Sequence, residues 1–289
     1  MVVEDPRLGT VLLTGALSEP PAARALVIVV HGLGGSSDSP YVVEAADHLV
    51  GSGLACLRLN LRGADRSGED IYHAGLTADL KAAFASPEVA CYEKTALLGF
   101  SLGGHVALRF ALDHPLARLQ AVVAICPPVD LAATARTIDS GTKWIYRRYL
   151  LGRLAEIYAA VASRRRLARS VSEVRRARTF VDFDNLVIAP RHGFEDAWDY
   201  YRTVSVGPDL AKLRTPTLLL AAETDPMIPA ASLRSYLRDG PDCLECYWSE
   251  RGGHLGFPAD LDLGAAAEPG LYPQILGWLE ARLALCEPP

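Results

Sequence analysis

Leu98-Gly99-Phe100-Ser101-Leu102-Gly103-Gly104-His105 is the stretch that decides the fold. An apolar run, Thr95–Leu98, leads into it, and Leu102, Val106, Phe110 and Ala111 follow at helical spacing until His114-Pro115 ends the pattern. Read together, this is G-x-S-x-G in a strand–turn–helix setting. A serine at the apex of so sharp a turn sits in strained backbone, and glycines on either side let strand and helix approach closely around it. The turn also places the Ser101 hydroxyl at a helix N-terminus, where unpaired N–H groups favour developing negative charge. Ser101 is therefore the candidate nucleophile. Glycine-rich turns after strands also occur as plain packing features, so the reading depends on further parts.

Three such parts lie elsewhere in the chain. Val27-Ile28-Val29-Val30-His31-Gly32-Leu33-Gly34-Gly35 runs a buried strand into a glycine-rich loop, the place where acyl chemistry on a serine needs a second oxyanion donor. The backbone N–H groups of Leu33 and Leu102 are expected to point together at a substrate carbonyl oxygen, with His31 a structural support for the loop. Thr217–Ala222 ends in a turn carrying Asp225 between prolines, placed to orient an imidazole. Asp130, after the strand Ala121–Cys126, and Glu223, two residues before Asp225, are rivals for that role. Finally, Glu250-Arg251-Gly252-Gly253-His254-Leu255 sets an imidazole in a glycine-flanked loop after the strand-like Leu244–Ser249. An unperturbed imidazole accepts and returns a proton near neutral pH. The order Ser101, Asp225, His254, each at a strand end, makes these the candidate nucleophile, acid and base.

With these residues in place, the chain resembles the α/β-hydrolase superfamily along nearly its whole length. Within it the chain is similar to the YheT-type and ABHD1/ABHD3-like (AB hydrolase-4 type) predicted carboxylesterases. The segments that carry this are HGLGGSSDSPYV (31–42), NLRG (60–63), IYHAG (71–75), TKWIYRRYL (142–150), VRRARTFVDFDNLVIAPRHGFEDAWDYYR (174–202) and ERGGHLGF (250–257). The FDNL…GF…DYY pattern is the most diagnostic of them. The resemblance implies a serine carboxylester hydrolase with Ser101, Asp225 and His254 as its triad. Its substrate would be a small-molecule acyl ester of short to medium chain length. Acyl transfer or perhydrolysis on the same triad, and a non-catalytic lipid-binding or scaffold role, are the alternatives at this point. None of this chemistry calls for a metal or an organic cofactor.

Composition agrees. The 289 residues are half hydrophobic, enough for a core on both faces of a sheet, and the net charge of −5 argues against general nucleic-acid binding. Near-continuous apolar strands, Ala25–Val30, Leu54–Leu61, Thr95–Leu98, Ala121–Cys126, Thr217–Ala222 and Leu244–Trp248, alternate with helical patterns at Tyr41–Gly51, Leu76–Ala85, Leu102–His114, Ala230–Arg238 and Tyr272–Leu285. That alternation predicts an α/β fold with a mostly parallel sheet covered on both sides, and Val11–Leu17 is expected to add an antiparallel edge. One α/β domain is expected over 1–289. About 90 residues separate the fourth and fifth of these strands, far more than one crossover needs. Residues 131–205 are therefore expected to form an inserted helical cap, with Leu150, Leu151, Leu154, Ile157, Tyr158 and Val161 on one helix face. Between Lys143 and Arg178 the cap carries eleven Lys/Arg against Glu156 and Glu173, an excess of +9 that leaves the remainder at −14. That charge suits either a solvated face or contact with an anionic membrane.

The opening Met1-Val2-Val3-Glu4-Asp5-Pro6 has neither a basic nor an apolar stretch, so no signal peptide is expected. Six cysteines, at 56, 91, 126, 243, 246 and 286, are scattered, which suggests free thiols and a cytoplasmic location. Strand alternation should send Cys243 and Cys246 to opposite faces, unfavourable for a disulfide or a metal.

Overall fold

The computed structural model describes residues 1–238 and 240–283. A hairpin, β1 (Val2–Asp5) and β2 (Gly9–Leu12), precedes the seven strands β3 (Gly15–Ser18), β4 (Leu26–Val30), β5 (Ala55–Leu59), β6 (Thr95–Phe100), β7 (Leu119–Ile125), β8 (Thr217–Ala222) and β9 (Leu244–Ser249). Those seven form one sheet in the order β3-β5-β4-β6-β7-β8-β9, with only β3 antiparallel to its neighbour. Side chains alternate through it. Leu26, Ile28 and Val30 of β4 enter one apolar cluster, while Val27 and Val29 enter the other. Helices α1 (Pro40–Gly51), α2 (Ala78–Ala85), α3 (Pro87–Ala90) and α4 (Leu102–Asp113) follow the first strands. Each face needs a cover because parallel strands are apolar on both sides. Val42, Ala45 and Leu49 of α1 close one, and Val106, Ala107 and Phe110 of α4 close the other.

The expected edge strand over Val11–Leu17 is divided in two. Val11 and Leu12 belong to β2, whose side chain Val11 packs with Val3 and Leu13 in a small separate cluster. The chain is interrupted where the Leu13 N–H turns back to the Met1 carbonyl, and it pairs with β5 only from Gly15 onwards.

Between β7 and β8 the chain is helical. It runs through α5 (Leu131–Asp139), α6 (Trp144–Arg164), α7 (Val171–Val174), α8 (Phe180–Phe183), a π-helical turn at Asp184–Ile188, α9 (Ala189–His192) and α10 (Ala197–Val204). Leu151, Leu154, Ile157, Tyr158 and Val161 of α6 are buried at i, i+3, i+4 spacing, with Leu150 partly buried beside them. Helices α11 (Ala230–Leu237) and α12 (Leu271–Leu283) complete the layers. The end of the helix expected over Tyr272–Leu285, and Cys286, lie outside the described residues.

One charged cluster is buried where the hairpin, α2 and the segment after β5 meet. The Arg62 guanidinium, with a side chain wholly out of solvent, donates to Asp79 Oδ1 from Nε at 2.9 Å and Nη2 at 2.7 Å, and to Asp5 Oδ2 at 2.7 Å. Its own N–H donates to Asp79 Oδ2 at 2.8 Å, and Arg191 of the cap pairs with Asp70. Breaking such a buried pair from one side costs about 3–5 kcal/mol. The cluster fixes residues 60–75, a segment that reappears at the site.

Candidate active site

Ser101 joins β6 to α4 with φ +50° and ψ −119°, a region L-residues seldom occupy. Its N–H donates to the Ile125 carbonyl of β7 at 2.8 Å, so the neighbouring strand holds the strained residue in place. The flanking glycines are required by space. A Cβ on Gly99 would lie 2.3 Å from the Gly103 carbonyl oxygen, and one on Gly103 would lie 2.3 Å from that of Val30. Strand, turn and helix therefore touch backbone to backbone at the elbow.

Asp225 and His254 come together from loops 29 residues apart in sequence. His254 Nδ1 donates to Asp225 Oδ2 at 2.8 Å, and Asp225 Oδ1 accepts the Met227 and Ile228 N–H groups at 2.8 and 3.0 Å. Burial pushes the Asp225 carboxyl up, but the His254 hydrogen bond and charge and the two N–H groups outweigh it and hold it below the usual carboxylate range. A carboxylate only accepts, so Nδ1 carries the ring proton and Nε2 has its lone pair available. The histidine loop is tight. Gly253 N–H donates to the Gly256 carbonyl, Leu255 sits at φ +63°, and Thr224 Oγ1 ties the acid turn to the Gly252 carbonyl at 2.8 Å.

Neither rival acid faces His254. Asp130 caps α5, accepting the Ala133 N–H at 2.9 Å, and its other oxygen accepts the Tyr236 hydroxyl at 3.3 Å. Glu223 pairs with Arg234, whose guanidinium also lies over the Trp248 ring. Both carboxylates are committed elsewhere.

Ser101, His254 and Leu33 line one open cleft of about 750 Å³. Among the described residues no hydrogen bond joins the Ser101 hydroxyl to the His254 ring, an arrangement common in unliganded sites, where such bonds tighten on binding. On the other side of Ser101 a narrow slot of about 90 Å³ runs under the cap. It is lined by Leu33, Leu102, Leu131, Ile138, Leu154 and Phe180 among others. Its one acidic group is Asp184, which accepts the Tyr201 hydroxyl at 2.5 Å and whose carboxyl burial pushes up to about 7. The FDNL and DYY segments thus meet in the slot wall.

The glycine-rich loop after β4 has supports that sequence reasoning did not find. Tyr41 Oη accepts the Gly32 N–H at 2.9 Å and Tyr72 Oη accepts the Gly34 N–H at 2.7 Å. Among the described residues the Leu33 N–H between them has no partner, and that of Leu102 begins α4, where helix geometry leaves it without an intrahelical one. His31 is buried and packs edge-on against Tyr72; burial pulls its pKa down to about 4, so it is a neutral support. Tyr72→Phe leaves the buried Gly34 N–H without an acceptor, a loss of about 1–3 kcal/mol. Because phenylalanine keeps the ring that lines the slot beside Ser101 and loses only the hydroxyl that positions the loop, kcat should fall roughly tenfold with KM little changed. Steady-state kinetics on a soluble ester, with the thermal midpoint alongside, check this; an unchanged kcat in a destabilised protein would reduce Tyr72 to a packing residue.

Donors for a metal also converge here. Cys126, Asp225 and His254 bring one ligand atom each within 4.8 Å of one another. The set is poor for a cation. Burial, and then the adjacent Asp225 carboxylate, push the Cys126 thiol up to about 12, so it stays protonated, and His254 Nδ1 is already given to Asp225. Cys243 precedes β9, so it and Cys246 border the same apolar cluster instead of opposite faces as strand alternation alone suggests, and both are free thiols.

The alpha/beta hydrolase fold family matches residues 25–259. The chain belongs to that family. The putative esterase YheT of Escherichia coli K12 is 32% identical over 93% of this chain and 78% of its own length. A monoacylglycerol lipase of Saccharomyces cerevisiae is 26% identical over 82% of this chain, which spans only 56% of that enzyme. Among solved structures, the esterase domain of a Rhodothermus marinus protein superposes with a TM-score of 0.56 at 19% identity, covering 98% of this α/β-hydrolase chain and 97% of its own. No helix among the described residues is long and apolar enough to cross a membrane.

Proposed function

We propose that this α/β hydrolase is a serine carboxylester hydrolase in which Ser101 attacks, His254 carries the proton, Asp225 orients the ring, and the Leu33 and Leu102 N–H groups bind the oxyanion. The observation that carries the reading is the His254–Asp225 hydrogen bond at 2.8 Å in the cleft that Ser101 opens into. Ser101 Oγ adds to the ester carbonyl carbon while its proton passes to His254 Nε2. The tetrahedral intermediate collapses with cleavage of the bond to the alcohol oxygen, which takes the proton back from Nε2. Water then gives a proton to Nε2, its oxygen attacks the acyl carbon, and the acid leaves as Ser101 recovers its hydrogen.

The two cavities suggest how the substrate lies. His254 must reach the departing oxygen, so the alcohol belongs in the open cleft that His254 lines. The acyl chain then enters the slot, whose small volume and apolar wall favour short to medium chains. Relatives named esterase and monoacylglycerol lipase support ester chemistry. An ester panel graded by acyl length tests the assignment. kcat/KM should rise with each methylene the slot accepts, by roughly tenfold or more per step, and then fall. A maximum at long chains would overturn the placement of the acyl group.

A further inference from the structure

Six large apolar side chains are exposed among the described residues, and four of them, Trp144, Ile145, Tyr146 and Tyr149, sit on the first turns of α6. Ile145 and Tyr149 are 62% and 66% exposed, unusual for residues of their size. Beside this turn a groove of about 650 Å³ runs between α6 and the chain around α7, lined by Trp144, Arg147, Arg148, Arg175 and Arg178. Arg147 donates to the carbonyls that end α5, whereas Arg148, Arg175 and Arg178 are exposed and their guanidinium groups form no ion pair among the described residues, although the Arg178 backbone N–H donates to Asp182. The groove's one acidic residue, Glu156, is already shared by Arg66 and Arg153.

We propose that the Trp144–Tyr149 turn and this arginine groove are a docking surface for an anionic phospholipid bilayer. Tryptophan and tyrosine prefer the headgroup level, where an apolar ring and a polar edge are both satisfied, and arginine offers a fork of donors to phosphate oxygens. Two signals together, inserted aromatics and a basic patch, are what reversible membrane binding takes. The long-range field acts in the same direction. Residues 143–178 carry an excess of +9 within a chain of net charge −5, so a negative surface turns this face towards itself. Tyr146 and Tyr149 also line the cleft that holds Ser101 and His254, so docking brings the cleft mouth to the lipid surface.

Co-sedimentation with phosphatidylcholine vesicles and with phosphatidylcholine–phosphatidylglycerol vesicles tests this directly. The protein should sediment with the anionic vesicles and not the neutral ones, and salt should weaken the binding. Reversing Arg148, Arg175 and Arg178 to Glu together should lower partitioning by roughly 100-fold or more. Trp144→Ser with Ile145→Ser should lower it by roughly tenfold or more. Both variants should keep the wild-type thermal midpoint, which separates lost docking from lost folding. Ser101→Ala should sediment like the wild type, so the result stands whether or not the catalytic reading does. Absence of sedimentation, equal sedimentation with neutral vesicles, or a wild-type dimer in solution that the Trp144/Ile145 change dissociates would overturn the proposal, the last by assigning the face to a second copy of the chain.

Discussion

Ser101→Ala removes turnover of a soluble short-chain ester by roughly 10⁴-fold or more and abolishes labelling by a fluorophosphonate probe. The residue has no substitute within reach. Thr134 also borders the slot, but Ser101 sits at the strained apex beside the Leu33 and Leu102 N–H groups, and among the described hydroxyl residues it alone lines both slot and cleft. What remains after truncation is the oxyanion hole and substrate binding, which can still polarise the carbonyl for attack by water. The fold should be indifferent to the change. The hydroxyl makes no hydrogen bond among the described residues, and alanine occupies the same backbone region at a similar cost. Ser101→Gly should be equally inactive yet more stable, since glycine takes positive φ without strain. Thermal unfolding of both variants beside their kinetics makes the comparison. Full activity in Ser101→Ala would remove the serine mechanism altogether.

How much of this was legible in the sequence depends on the range of the forces involved. The central strands were legible because burial on both faces leaves nearly continuous apolar runs, and β4 and β6 fall within one or two residues of where those runs place them. The elbow was legible because the demand at Gly99 is set within five residues, by the Gly103 backbone; the demand at Gly103 comes from Val30 on β4 and shows in the sequence only as a glycine at the motif's fixed spacing. The opening hairpin was not. Its strands have only four residues each, and its partition from β3 depends on the Leu13 N–H reaching Met1, which no local pattern announces. Tyr41 and Tyr72 escaped for a related reason. Each acts through one hydroxyl on a backbone N–H 9 or 38 residues away, and a tyrosine in a turn looks the same whether or not that hydroxyl is used. The choice among Asp130, Glu223 and Asp225 also needed three dimensions. All three follow strands, and only packing reveals that one caps a helix and another meets Arg234. The cap's charge count was readable, but not that its arginines flank the exposed aromatic turn.

Asp225→Asn should lower kcat by roughly 10⁴-fold while leaving the protein folded and KM little changed, and the cause is proton placement, not lost packing. Asparagine is nearly isosteric, so the side chain keeps its position, but its two ends now differ. The Met227 and Ile228 N–H groups, which meet Oδ1 at 2.8 and 3.0 Å, demand an acceptor and draw the amide oxygen to that side. The NH₂ group is left facing His254 Nδ1, across the 2.8 Å contact that a carboxylate oxygen now makes. Two donors cannot share that line, so Nδ1 must become the acceptor and the ring proton moves to Nε2. An imidazole in that tautomer cannot take the Ser101 proton, although every heavy atom stands where it did. Rescue by the rival acid is not available, because Asp130 is held by the Ala133 N–H and the Tyr236 hydroxyl. Asp130→Asn should accordingly leave kcat within a small factor of wild type, at the modest cost of a weakened helix cap. The decisive comparison is the rate with pH. Activity of Asp225→Asn should recover towards high pH, where hydroxide replaces the missing base. A variant that keeps wild-type kcat at neutral pH would show that another group orients His254.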